Sequence, residues 1–154
     1  MPIVSNDIKF YESGDNHGGT LTNTVAQDFN VMGSFTGAQT SAGETRYACV
    51  YLRNDSATNT ALSMEVSLGA VTDFGTVSAS IGLGSALKNQ DETTVADKNT
   101  APAGVSFIAT GALAVGDLTV SQYKAVWLRL IVPAGTSPKN EFTIPLTVTL
   151  STGE

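Results

Sequence analysis

Leu62-Ser63-Met64-Glu65-Val66-Ser67-Leu68 places apolar residues at even positions and polar ones at odd positions. That is the period of a β-strand with one face in a core and the other in water. It predicts that Leu62, Met64, Val66 and Leu68 point inward. The same alternation recurs over Thr76–Leu83, with odd positions inside, and over Phe142-Thr143-Ile144-Pro145-Leu146-Thr147-Val148-Thr149-Leu150. In the last run Phe142, Ile144, Leu146, Val148 and Leu150 are the expected core residues. Pro145 sits on its polar face and removes a ladder donor, which predicts an edge strand or a bulge.

Two further stretches are apolar on both faces: Tyr47–Leu52 and Tyr123–Val132. Strands of that kind are central, covered on one side by a core and on the other by a loop or a partner. Shorter strand candidates are Ile8–Tyr11, Val105–Ala109 and Leu118–Val120. Turn formers separate these runs: Ser13–Asn16, Asn54–Ser56, Lys98–Gly104 and Pro133–Gly135. The best helical pattern, Val25–Phe35, is interrupted by Gly33 and supports no more than a short turn. Many short strands between turn signals predict an all-β fold, a single antiparallel β-sandwich of immunoglobulin-like or jelly-roll type. The whole of residues 1–154 reads as one domain, with an extended N-terminal arm through about Gly19.

The totals narrow the function. Only 14% of the 154 residues are charged, against roughly 25% in a typical soluble protein. A surface rich in Thr, Ser, Asn and Gly packs against neighbours with little charge to desolvate. The formal net charge of -6, with basic residues scattered along the chain, argues against direct nucleic-acid binding, which needs clustered Lys and Arg. No apolar run approaches the roughly 18 residues of a membrane span. The opening Met1-Pro2-Ile3-Val4-Ser5-Asn6-Asp7 lacks the basic and apolar regions of a secretory signal, so synthesis and folding in a cytoplasm are expected. A single cysteine, Cys49, leaves no internal disulfide.

Residues able to do chemistry are few. His17, the one histidine, lies in the turn Asp15-Asn16-His17-Gly18-Gly19, where a polar turn residue is a simpler reading than a metal ligand or base. Zinc needs three or four ligands, and the chain offers one His and one Cys far apart. Cys49 lies in an apolar strand and reads as a small buried hydrophobe rather than a nucleophile. Asp91, Glu92 and Asp97 could gather oxygens around calcium, but without EF-hand spacing they read as a solvated acidic loop. Gly82-Leu83-Gly84-Ser85 lacks the Gly-Lys-Ser/Thr ending of a phosphate loop. Glycines inside a strand pattern mark a bulge or a close backbone approach. No catalytic, cofactor or metal residue is therefore assigned, and no enzyme activity is expected.

Three stretches carry a resemblance: Ile8–Gly14, then Thr93–Asp97 leading to Ala101–Phe107, then Gln122–Arg129 through Val132–Thr136. In this order they resemble a family of small virion structural proteins of tailed bacteriophages and prophages. Tyr123-Lys124-Ala125-Val126-Trp127-Leu128-Arg129 is the most distinctive part. The chain departs from the family pattern at Leu130, where a second arginine is expected, and at Ser121, where a glycine is expected. No specific contact of that strand is therefore carried over.

The resemblance implies a capsid decoration or cement protein, located in the virion after synthesis in the bacterial host. Its implied partners are the major capsid protein or other virion proteins, with self-association into a homo-oligomer. The alternatives are a head–tail junction or tail component, or a carbohydrate-binding or adhesion module. Within Tyr123–Val132, Trp127 reads as the core tryptophan, with Lys124 and Arg129 solvated or supporting loops. The functional alternative is that Lys124 or Arg129, on opposite faces of the strand, contacts an acidic partner.

Overall fold

In the computed structural model, which describes residues 7–26, 36–69, 76–137 and 144–152, the two doubly apolar stretches lie side by side. They belong to β3 (Glu44–Asn54) and β7 (Tyr123–Val132), paired antiparallel from Glu44↔Val132 to Arg53↔Tyr123. Around them β1 (Ile8–Ser13), β2 (Leu21–Val25) and β5 (Ser78–Leu83) complete a five-stranded sheet in the order β2-β1-β3-β7-β5. A second sheet holds β4 (Ala61–Leu68), β6 (Ala112–Leu118) and β8 (Leu146–Thr152) in the order β6-β4-β8. All the pairings are antiparallel. The two sheets enclose one apolar core and form the expected β-sandwich.

That core follows the strand period. Ala48, Val50 and Leu52 of β3 and Val126, Leu128 and Leu130 of β7 meet Met64 and Val66 of β4 and Leu118 of β6. Val77, Ala79 and Ile81 point inward as predicted, and Leu83 packs against them partly buried. Ile144 is fully buried, while Leu146, Val148 and Leu150 pack on the core with partial exposure. Phe142 lies outside the described residues. Pro145 immediately precedes β8, an edge strand, and its carbonyl accepts from the Gly69 N–H at 2.8 Å. A central strand would lose a ladder bond at that proline; this position requires none.

Several expectations are corrected. Ala61, not Leu62, fills the first core position of β4. Ser63 adopts φ +49° and the register with both neighbours shifts there, so a bulge resets the alternation before Met64. Its partner β6 kinks at Gly116, φ +79°. That strand therefore buries Val115 and Leu118 and ends where Leu118–Val120 was expected to begin. Val105–Ala109 forms only an isolated bridge, Ile81↔Ile108.

The arm through Gly19 is not free. Ile8 to Glu12 pair with β3, and Leu21–Val25 pairs with β1. Residues 1–6 and most of the helical candidate Val25–Phe35 lie outside the described residues. A short helix not predicted, α1 (Gly37–Ala42), has no apolar stripe. Its start is a capping box, with Gln39 N–H donating to Thr36 Oγ1 at 3.3 Å and Thr36 N–H donating to Gln39 Oε1 at 2.8 Å.

The bulge assignment gives a direct test. Met64→Ala should cost about 2–5 kcal/mol by thermal or denaturant unfolding, whereas Leu62→Ala should cost well under half as much. Equal losses would restore the unbroken alternation.

Candidate functional site

The outer face of the β3–β7 pair is as apolar as the inner one. Cys49 and Tyr51 of β3 and Ala125 and Trp127 of β7 are essentially unexposed there, in a cluster separate from the inter-sheet core. Its cover is the connection between β5 and β6, residues 84–111, which contributes Val95, Val105 and Phe107. Connections longer than about 12–15 residues without their own secondary structure are uncommon in compact domains and are usually functional. The backbones approach closely here. A Cβ at Gly82 would lie 2.6 Å from Ser106 O, and one at Gly84 would lie 2.5 Å from Glu92 Oε2.

Glu92 organises this cover. The reading of a solvated acidic loop fails at this residue, which is only 3% exposed. Its Oε1 accepts from Ser85 N–H at 2.9 Å and Ser85 Oγ at 3.1 Å, and its Oε2 accepts from Ala86 N–H at 3.0 Å. A ring of hydrogen bonds joins its backbone to the sheet. Glu92 N–H donates to the Tyr51 hydroxyl at 2.7 Å, that hydroxyl donates to Gly19 O, and Gly19 N–H returns to Glu92 O at 2.8 Å. Buried polar groups are stable only when partnered in this way.

The other two carboxylates serve separate tasks. Asp91 accepts from the Tyr123 hydroxyl at 2.7 Å, and Asp97 accepts from Asn99 N–H and Thr100 Oγ1, both at 2.9 Å. Those two donors hold the Asp97 carboxyl below its ordinary value. Among the described residues, no group of three or more His, Cys, Asp or Glu side chains is placed to hold a metal ion.

The remaining candidates are also committed to structure. His17 closes the turn after β1, its N–H donating to Gly14 O and its carbonyl accepting from Val95 N–H of the cover. Burial pushes the Cys49 thiol well above its ordinary value, far from the thiolate a nucleophile requires. Lys124 and Arg129 do lie on opposite faces. The Lys124 ammonium donates to Gly84 O at 2.9 Å and to Ala86 O, and burial lowers its pKa. Arg129 Nε donates to Ser80 Oγ at 2.8 Å, and its guanidinium lies 4.7 Å from the centre of the Phe107 ring. Both support the cover. Trp127 is fully buried as expected, but on the outer face rather than in the inter-sheet core.

Two features escaped the sequence reading. Arg46 is fully buried, with its guanidinium nitrogens 3.0 and 2.9 Å from Glu44 Oε2. Glu44 Oε1 accepts from Asn99 Nδ2 at 2.8 Å. The Glu44-Thr45-Arg46 spacing was the available signal. A cavity of about 330 Å³ also opens between two limbs of the cover, lined by Glu92, Thr94, Val95, Thr100 and Pro102 among others.

Set against protein-family models, curated proteins and solved structures, the chain gives no match. No helix among the described residues is long and apolar enough to cross a membrane.

The outer layer makes a prediction in alkali. The hydrogen bond to Asp55 and then burial raise the Tyr11 phenol, burial raises Tyr51, and burial with the Asp91 bond pushes Tyr123 up to about 12. Phenols raised by folding contribute stability that is complete below their unfolded value of 10.0 and lost as pH climbs through the folded values. An absorbance titration should therefore show delayed phenolate formation, with Asp91→Asn bringing Tyr123 down. Ionisation of all tyrosines near pH 10 in the intact fold would contradict the assigned contacts.

Proposed function

We propose that this chain is a bacteriophage virion structural protein, a capsid decoration or cement protein that attaches to the assembled head and stabilises it. On this reading it acts by contact and not by catalysis. The observation that carries it is the use of charge. Lys9 and Arg53 engage Asp55, Arg46 engages Glu44, Lys88 and Lys124 donate to backbone carbonyls, and Arg129 donates to Ser80. Among the described residues, six of the seven cations thus have a partner within the fold, which favours neither an acidic ligand nor a nucleic acid.

Part of what remains outside is neutral and small. The second sheet exposes Ser63, Ala112, Ala114, Thr147 and Thr149, with Glu65 and Asp117 as its exposed charged residues. Such a face docks on a protein shell without desolvating many ions. The same property suits self-association of copies on the shell. The resemblance to phage virion proteins supports this reading at the level of sequence; its three segments lie on β1, the 84–111 cover and β7 with the turn after it.

A cement protein delivers its binding free energy to the assembled state in preference to the dissociated one. Purified heads carrying the protein should release their genome at a higher temperature than stripped heads in a thermal ramp. Raising salt should weaken attachment only slightly, because screening acts chiefly on exposed ion pairs. Identical release temperatures at full occupancy would overturn the cement role, and density at the tail or neck in a particle reconstruction would move the protein there.

A further inference from the structure

We propose that residues 84–111 form a strap that opens as a unit while the two sheets stay folded, with the Glu92 carboxylate as its latch. The inference goes beyond the attachment role and does not depend on it. Three independent features of the fold support it.

The first is the partition of apolar contacts. The residues under the strap form their own cluster, and of the strap itself Ile108, near its C-terminal end, is the residue that packs on the inter-sheet core. Lifting residues 84–107, with Ile108 kept as the hinge, leaves the β3–β7 ladder and the inter-sheet packing in place. Units joined to a fold in this way open below the global unfolding limit.

The second is how the strap is held. It shares no strand ladder with either sheet; it is held by the isolated bridges Gly19↔Glu92 and Ile81↔Ile108 and by single backbone bonds from Gly84, Asn89 and Val95 N–H to Ala125 O, Tyr123 O and His17 O. Tyr47 N–H donates to Lys98 O at 2.7 Å, and Asn99 Nδ2 donates to Thr45 O at 2.9 Å. The densest set of bonds converges on Glu92, whose carboxylate ties the strap's first turn at Ser85 and Ala86 while its backbone is held by Tyr51 and Gly19. Lys124 holds the same turn from β7 through Gly84 O and Ala86 O. Loss of the Glu92 carboxylate removes the charged acceptor of the partly buried bonds from the Ser85 and Ala86 N–H groups, which weakens the closed state.

The third is imperfect closure. The cavity of about 330 Å³ lies between the strap's own limbs. Beneath the strap, the buried Trp127 indole N–H has no hydrogen-bond partner among the described residues. An unpaired buried donor raises the free energy of the closed state. Opening presents the row Cys49, Tyr51, Ala125 and Trp127, an apolar face that the closed protein hides.

The only cysteine and the only tryptophan lie under the strap, so the molecule carries its own reporters. The test is reaction of Cys49 with a chromogenic disulfide reagent at saturating concentration. It is compared with global unfolding followed by far-ultraviolet circular dichroism, in the full chain and in two variants. Cys49 in the parent should react much faster than the protein unfolds. Glu92→Gln should accelerate that reaction by about tenfold or more, the effect of losing a charge-assisted hydrogen bond. Met64→Ala, which cuts into the inter-sheet core, should speed global unfolding and leave the thiol reaction unchanged. A thiol reaction that tracks global unfolding in the parent and in Met64→Ala overturns the strap. Fast reaction that Glu92→Gln leaves unaltered overturns the latch. If Glu92→Gln does not fold, the comparison of the parent with Met64→Ala still decides whether the strap opens separately.

Discussion

Ten paired positions run along β3 and β7, from Glu44↔Val132 to Arg53↔Tyr123, and both faces of this ladder are apolar. Burying one large apolar side chain is worth about 1.5–3 kcal/mol. Leaving Trp127, Tyr51 and their neighbours in water would thus forfeit much of a typical domain stability of ~5–15 kcal/mol. A ladder of this kind needs two covers. The small sheet β6-β4-β8 provides one and residues 84–111 provide the other. The architecture is effectively three layers, with the third made of irregular chain.

An irregular layer has to satisfy its backbone without a ladder, and this explains the placement of the polar residues. Glu92, Asp91, Asp97 and Asn99 accept or donate where strands would otherwise do so, and Tyr51 and Tyr123 reach out of the sheet to meet them. Next to the Arg53↔Tyr123 pair, Asn54, fully buried, donates through Nδ2 to Asn59 O and Leu118 O, both at 2.8 Å, and so joins the two sheets. Among the described residues, six cations have partners within the fold.

Much of this architecture was legible from residue patterns, because burial period is a local property. Met64, Val66, Ile81 and Ile144 fell where alternation put them, and the doubly apolar runs proved central. The failures have physical causes. A positive φ at Ser63 and another at Gly116 are permitted, not dictated, by those residues, so the bulge that exchanges Leu62 for Ala61 left no periodic trace. Leu21–Val25, with Thr22, Asn23 and Thr24 at its centre, has little apolar signal, and only its pairing with β1 defines it. The role of Glu92 was hidden for a different reason. Its partners Ser85, Ala86, Tyr51 and Gly19 are brought to it by tertiary structure, while its neighbours in sequence make it look like an ordinary acidic loop. Gly82 and Gly84 did signal a close approach, though not what approaches.

The claim that this chain covers both faces of its own central ladder can be checked without any partner. In nuclear Overhauser spectra of the dilute, isolated protein, the methyl groups of Val95 and Val105 should show contacts to Cys49, Ala125 or Trp127. An indole and thiol without such contacts, with Trp127 open to aqueous quenchers, would show that a partner and not the 84–111 segment covers that face, and would contradict the account.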